Sequence, residues 1–600
     1  MRVAHDHVCE LQPWLRGRDL SGLLVPSTDE FLSEFAPPSQ RRLRWATGFR
    51  GSTGLAIILR DAAALFLDGR YRLQAEVETE GAAIAIEPAT LEARRIWLRR
   101  FLSPGARLAL DPWLHSQPDV AQWQSLAAEL GFNLQMLDEN PIDALWGPSR
   151  PAEYRPKIVD YPVRFSGETY QVRCARVTEH LRRSGLHALL VADPEDVSWL
   201  LNVRAAVEAH WTPAGEWHIV PSCTTRALVR KDGRVTWFVD EDRLSKNVLA
   251  RGQGPVVVQS SDRLTRALSE AAQQGLVGAN LQRTPFALTA ILRESARDDD
   301  AVARLRWHKH PAELEGARRA HIIDAAAVVR FAAWLARTVP EHAVSEFEAA
   351  QKLESLRAEH ADYRGPSMPL MSASGPSGAQ PHYVPPQEGS RVLNDHAIYW
   401  MDSGGHYPGG TTDNTLTIAL GTPKPRHVLA HTLVLKAYVA LARARFPSGT
   451  PAFRLDTIAR QQLWNEGLDY DHGTGHGVGN YLNIHEGPVI RAEVRPISAY
   501  PLEPGMIITN EPGYYVDRDF GVRIESHMIV VPSRYSNFLE FDTISRLPID
   551  PRLVDLERLS PTERHWLGEY HRTVLRDIEP LLDVQSAAWL RTFVQPFIEY

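Results

Sequence analysis

The sequence predicts three domains, two shorter ones and a longer third of α+β class, and three observations lead there. The chain has 600 residues, room for about three domains at roughly 100–200 residues each. Two breaks divide it: a tract over 147–162 holding Pro148, Pro151, Pro156 and Pro162, and the charged run Asp298-Asp299-Asp300. Beyond the second break, helical patterns come first and strand patterns later, segregated rather than alternating. The expected domains are 1–150, 160–305 and 312–600.

Within the first two regions a weak internal repeat is visible. Gly22-Leu23-Leu24-Val25 opens one strand signal, and Gly185 leads to Leu189-Leu190-Val191 in the other. Asp68-Gly69-Arg70 and Asp232-Gly233-Arg234 read as hairpin turns at matching distances. Trp45-x-x-Gly-x-Arg50 and Trp199-x-x-Asn-x-Arg204 add a looser match; a coincidence of common turn dipeptides is the competing explanation. In the third region, helices are expected over 313–337, 345–360 and 426–445. Strands are expected over 397–403, 411–420, 506–511 and 522–531.

Composition excludes several function classes. Net charge is −7, with 66 basic against 73 acidic residues, so no basic surplus exists to neutralise phosphates and no nucleic-acid partner is expected. Cys9, Cys174 and Cys223 are too few and too scattered for a disulfide framework or a thiolate zinc site, and they suit a reducing compartment. Residues 1–20 carry charges and no apolar core of a signal peptide. No run reaches the roughly 18 apolar residues of a spanning helix. The apolar stretch over 325–336 is interrupted by Arg330 and reads as a buried helix. A cytoplasmic protein with no membrane partner is the expectation.

Two expected strand pairs carry the chemistry. The first holds Asp402 and, beyond a turn with Gly404, Gly405, Pro408, Gly409 and Gly410, Asp413. Such a turn folds the strands back so that the two acids can face each other. The second holds Glu511, then Pro512-Gly513, then Glu525, with Arg523 expected on the same strand face as Glu525. Between the pairs, His472-Gly473-Thr474-Gly475-His476-Gly477-Val478-Gly479 reads as a glycine-rich loop that presents histidines, with His485 following and His382 preceding the first pair. Four carboxylates flanked by apolar residues repel one another and lose solvation, an arrangement that cations relieve. Two divalent ions match four acids in charge. An oxygen-rich set with one imidazole suits Mn²⁺, with Co²⁺, Fe²⁺ and Zn²⁺ compatible. Two such ions about 3.5–4 Å apart can share a water and lower its pKa toward ~7, giving a bridging hydroxide. A solitary strand aspartate is more often a surface residue, and His308, His310, His427, His431 and His527 read as structural.

These segments resemble the pita-bread metallopeptidases, and among them the three-domain Xaa-Pro aminopeptidases (aminopeptidase P). The resemblance rests on Met401-Asp402-Ser403-Gly404, Gly410-Thr411-Thr412-Asp413, the His472–Gly479 run, Asn510-Glu511-Pro512-Gly513-Tyr514-Tyr515 and Gly521-Val522-Arg523-Ile524-Glu525. Thr47-Gly48-Phe49-Arg50-Gly51-Ser52 and Trp566-Leu567-Gly568-Glu569-Tyr570-His571 extend it, and it is weakest around 205–225. It implies two creatinase-N-like α/β domains followed by a pita-bread α+β catalytic domain. It implies that Asp402 binds one metal, that Asp413 and Glu525 bridge both, and that His476 and Glu511 bind the second, Glu511 also carrying the proton. His382, His472 and His485 would line the substrate cleft, and Arg523 would fix the acids. The implied substrate is a peptide with proline second. The implied assembly is a homodimer, with the leading domains limiting access to the cleft.

The sequence departs from that family at Met368-Pro369-Leu370-Met371, at Asn414-Thr415-Leu416-Thr417 and at Ala205-Ala206-Val207, which leaves the subsite walls open. A prolidase restricted to Xaa-Pro dipeptides would use the same ligands. A catalytically inactive binding module of this fold would be free to lose them, and here none is lost. The intact ligand set speaks against a metal-free creatinase-like hydrolase.

Overall fold

The computed structural model describes residues 2–206, 220–251, 254–393 and 398–599. Ala397, the first residue of an expected strand, and Val207, one of the departures noted above, lie outside them. The described residues form two compact units, one comprising residues up to 303 except 162–167 and 220–221, the other those two stretches together with everything from Arg304 onward.

The first unit contains two six-stranded sheets built to one plan. In the first, Gly22–Pro26 pairs antiparallel with Leu55–Leu59 and parallel with Arg107–Leu110. In the second, Ala188–Val191 pairs antiparallel with Arg226–Arg230 and parallel with Val277–Ala279. The outer strands follow suit: Ala63–Leu67 and Ala85–Pro88 correspond to Val235–Phe238 and Val256–Gln259, and Asn133–Met136 corresponds to Ala296–Asp298. The sheet order is therefore identical, and the repeat is real. One anchor of it is misplaced by a strand. Gly233 does sit in the hairpin turn, donating to the Arg230 carbonyl, but Asp68 follows the second arm and caps the short 3₁₀ helix Gly69–Tyr71. The proline tract is also not wholly a linker, because Ile158–Asp160 pairs with Val203–Ala205.

Near-continuous apolar strands follow from burial on both faces. Leu23, Val25, Ala56 and Ile58 pack toward Leu11, Leu15 and Phe49, while the alternate residues Leu24, Ile57 and Leu59 pack toward Trp97, Leu98 and Trp123.

The second unit is α+β, and all its strand pairings are antiparallel among the described residues. Its longest helix, Pro311–Thr338, begins with His310 and Glu313 capping each other's backbone and proline at the first turn. Arg330, on that helix, reaches out to Glu359 rather than interrupting it. Met371–Ser374, Ile398–Ser403 and Asn414–Ala419 make a three-stranded sheet. A six-stranded sheet runs Arg445–Pro447, Phe538–Thr543, Ser526–Pro532, Ile507–Asn510, Gly475–Gly477 and Glu486–Ile490.

Two local expectations change. The second acid-bearing pair is not one hairpin: Ile507–Asn510 pairs with Ser526–Pro532, while Gly513–Val516 and Phe520–Arg523 make a separate two-stranded ribbon. Arg523 and Glu525 therefore do not share one strand, because the chain leaves the ribbon at Ile524 before it enters the next sheet. The glycine-rich segment is likewise not all loop, since Gly475–Gly477 is a short strand between two others. Its glycines are there for proximity. A Cβ on Gly475 would lie 2.0 Å from the Thr509 carbonyl oxygen, and one on Gly477 2.3 Å from the Gly487 carbonyl oxygen.

Gly475→Ala is expected to lower stability by about 1–3 kcal/mol through forced strand displacement. Gly473→Ala, whose Cβ would meet nothing closer than 3.4 Å, is expected to stay within roughly 0.5 kcal/mol. Thermal unfolding of the two variants side by side checks this.

Candidate metal centre

Each acid stands at, or next to, the end of a sheet strand. In the three-stranded sheet Asp402 lies opposite Thr415, and Ser403 opposite Asn414, so Asp413 falls just before the second strand begins. The turn between them makes its own ribbon, His406–Tyr407 against Gly410–Thr411. In the larger sheet Asn510 lies opposite Ser526 and, in the ribbon beyond, Gly513 lies opposite Arg523. Glu511 and Glu525 occupy the two crossings between those pairings. The two halves of the site are thus alike: a sheet, a small ribbon, and acids at the junction.

The five expected ligands converge. Asp402, Asp413 and Glu525 form one group whose ligand atoms lie within 4.8 Å of one another, and His476, Glu511 and Glu525 form a second. Asp413, His476 and His485 form a third, so Asp413, His476 and Glu525 each belong to two groups. His476 Nε2 lies 3.4 Å from Glu511 Oε1 and 3.7 Å from Asp413 Oδ2. His485 stands against the His476 ring, edge to face at 4.5 Å, closer to the ligands than a purely substrate-facing residue need be.

Burial and like charge dominate the electrostatics. Asp402, Asp413 and Glu525 are each no more than 5% exposed. Burial, then the neighbouring Asp402, pushes the Asp413 carboxyl well above the usual carboxylate range. Burial, then Asp413, does the same to Glu525. Burial raises Glu511 to about 7 against the opposing pull of Arg523. Asp402 Oδ1 and Asp413 Oδ1 are buried with no hydrogen-bond partner. Unpartnered buried carboxylate oxygens are costly in an interior. Oxygens of this kind, with one imidazole nitrogen between them, make a donor set that fits divalent cations.

Around the acids lies a shell of fixed donors. Thr415 Oγ1 donates to Glu525 Oε2 at 2.9 Å, and Thr509 Oγ1 to Glu511 Oε1 at 3.2 Å. Arg523 is the hub. It pairs with Asp402, donates to Thr415 Oγ1, to the Pro381 carbonyl and to Tyr515 Oη, and lies over the Trp400 ring. Tyr515 Oη also meets His472 Nε2 at 3.1 Å. His472 thus joins the site through Tyr515 and Arg523, and half-buried His382 adjoins the Pro381 carbonyl that Arg523 holds.

Tyr515, Thr415 and Thr509 have no role in the sequence reading, although Tyr515 stands in a segment that carries the resemblance and Thr415 in one that departs from it. Their side-chain directions depend on the break between sheet and ribbon, which the residue order does not show. The histidines read as structural make structural contacts: His431 Nδ1 meets the Leu553 carbonyl, His308 meets Glu503, His310 caps a helix, and His527 Nδ1 meets His321 Nε2. His427 stacks at a tilt on Phe520.

Comparison with known proteins places the chain. Residues 315–532 match the model of metallopeptidase family M24, and 537–597 that of the C-terminal region of peptidase M24. Residues 8–138 and 149–313 each match a creatinase/prolidase N-terminal domain. The probable Xaa-Pro aminopeptidase P of Laccaria bicolor is 32% identical over 98% of this chain and 93% of its own length. That of Pyricularia oryzae is 32% identical over 99% of both. The X-prolyl aminopeptidase of Caenorhabditis elegans, described as a cytosolic enzyme with a di-nuclear active site, superposes with a TM-score of 0.90 at 30% identity, covering 96% of this chain and 95% of that one. The Xaa-Pro dipeptidase of Bacillus anthracis shares the fold at 22% identity and a TM-score of 0.51, spanning 64% of this chain and 99% of its own. With the ligand geometry, the duplicated leading domain and the full-length likeness in agreement, this chain belongs to metallopeptidase family M24, among the Xaa-Pro aminopeptidase P proteins.

Proposed function

We propose that this protein is a metal-dependent aminopeptidase that removes the first residue from peptides with proline second, and that Asp402, Asp413, His476, Glu511 and Glu525 hold two divalent cations for the purpose. The observation that carries this is the convergence of four carboxylates and an imidazole in which buried carboxylate oxygens lack any protein donor. Bound there, two such ions would supply a Lewis acid for the scissile carbonyl and a water acidified toward pKa ~7.

The chain's own groups account for the rest. Glu511 touches the cluster through one oxygen that Thr509 and His476 fix. With the site filled, its carboxylate would stay ionised against the rise that burial imposes and take the proton of the attacking water. The same carboxylate returns that proton to the proline nitrogen as the bond breaks; this nitrogen carries no hydrogen of its own in the peptide and leaves as a secondary amine. His472, His485 and His382 surround the approach and supply donors to the carbonyl oxygen and the backbone beside it. Arg523 keeps Asp402 oriented. Asp402 offers a substrate's free amine an anionic partner at the cluster, which would favour cutting from the N-terminus.

Manganese is the proposed metal because the donors are mostly oxygen. A cytoplasmic location agrees with the cytosolic relative, and no described helix is long and apolar enough to cross a membrane. Assembly as a homodimer rests on the family resemblance.

Purified protein supplied with Mn²⁺ is expected to cleave a tripeptide with proline second at a higher kcat/KM than the corresponding Xaa-Pro dipeptide. A preference for the dipeptide would make it a prolidase. Asp413→Ala and Glu525→Ala are expected to abolish both metal retention, read by elemental analysis, and cleavage. Arg523→Ala is expected to cost about 10–100-fold in metal affinity or activity.

A pH dependence follows from the raised carboxyls. Groups whose pKa is higher in the folded state take up protons on folding, so the stability they confer is present at low pH and lost as pH rises. For metal-free protein the loss runs from the ordinary 4.5 to about 7 for Glu511, and higher for Asp413 and Glu525. Cations bind the ionised forms and reverse the trend. The gap in unfolding temperature between metal-loaded and chelated protein should therefore widen from about pH 5 to about pH 8; a constant gap would contradict it.

A further inference from the structure

We propose that Arg460 is a positioning residue for the reaction: it clamps the segment 469–474 and thereby sets His472 and its partner Tyr515 in the cleft. The proposal rests on the reading above that His472 faces the substrate.

Arg460 lies on the helix Phe453–Trp464, one turn after Asp456, and both side chains are buried. Its Nε donates to Asp456 Oδ2 at 2.6 Å. One terminal nitrogen donates to Asp469 Oδ1 at 2.7 Å and to the Tyr470 carbonyl at 2.6 Å, and the other to the His472 carbonyl at 2.7 Å. The guanidinium also lies 4.0 Å from the centre of the Tyr470 ring. Every nitrogen of the group is therefore committed, and all but the Asp456 bond go to one six-residue stretch. Asp456 completes the clamp. Its second oxygen accepts from Thr474 Oγ1 at 2.6 Å, and the Thr474 carbonyl in turn accepts the backbone N–H of Glu511 at 2.9 Å.

A glycine-rich segment gains no rigidity from its own side chains, since glycine loses the most backbone freedom on ordering. His472 is followed by Gly473, so its placement has to come from outside the segment. A planar fork that reaches three carbonyl or carboxylate groups at once does this; a lysine at the same place offers a single point of attachment. Downstream, His472 meets Tyr515, Tyr515 meets Arg523, and Arg523 meets Asp402, so the clamp stands at one end of a continuous bonded chain that reaches the acids. Arg460 itself touches none of the proposed ligands.

The test is a double-mutant cycle on the full-length, metal-loaded enzyme with a proline-second tripeptide, using R460Q, R460K, H472A and the two double variants. R460Q is expected to retain both cations by elemental analysis while kcat/KM falls about 10–100-fold, the scale of a misplaced catalytic group. R460K should recover part of that loss. In the H472A background the R460Q change should cost less than about 2-fold, because the two act on one element. Effects that multiply in the double variant, cation loss in step with activity, or R460Q activity within about 2-fold of the parent would each overturn the proposal. If R460Q does not accumulate as folded protein, R460K runs the same cycle. An H472A enzyme with unchanged kcat/KM would instead overturn the reading of His472, and the role of Arg460 with it.

Discussion

Mutual repulsion among four carboxylates held in a dry interior is the constraint on which this catalytic unit is built. Left alone, such a cluster would answer it by keeping protons, and burial and proximity do raise Asp413, Glu511 and Glu525. Arg523 supplies one fixed positive charge, itself fully enclosed and held by several acceptors. One guanidinium cannot balance four acids. The remainder calls for mobile positive charge, and the oxygens without protein donors are where it would go. Much of the surrounding architecture, from the threonine hydroxyls to the ring of Trp400 beneath Arg523, serves to keep these groups from relaxing apart.

Backbone proximity does the rest of that work. Gly404, Gly475, Gly477 and Gly521 each stand where a Cβ would come within 2.3 Å of a carbonyl oxygen on a neighbouring segment. Strands that approach so closely have little freedom to shift, which lends a loop-rich site the firmness of a sheet. In the leading unit the same economy of design appears as repetition: one sheet order used twice, with the second copy differing in its turns and helices rather than in its pairing.

Much of this was legible in the residue order. The α+β class of the last region, the repeat of the first two and the gathering of four acids about a histidine-bearing, glycine-rich segment follow from strand patterns, turn glycines and the placement of acids, while the choice of His476 over His472 came with the family resemblance. What was not legible has a common cause. Strand periodicity says that a segment is extended but not which neighbour it pairs with, so the ribbon of Gly513–Val516 with Phe520–Arg523 was merged with the sheet strands on either side. Four glycines in eight residues read as a loop, because a short central strand made of glycine owes its pairing to neighbours distant in sequence. The supporting roles of Tyr515, Thr415, Thr509 and Arg460 are not written in residue spacing; the folded chain brings the first three to the acids and Arg523, and sets Arg460 behind His472.

The division of donors between the two halves has a consequence for how the molecule is assembled. Asp402 and Asp413 come from the smaller sheet, and His476, Glu511 and Glu525 from the larger sheet and its margins. Neither half contains a full complement, so neither can capture a pair of ions by itself. Capture of a pair of ions therefore requires both halves in place, and a chain misassembled at that seam would lack a complete donor set.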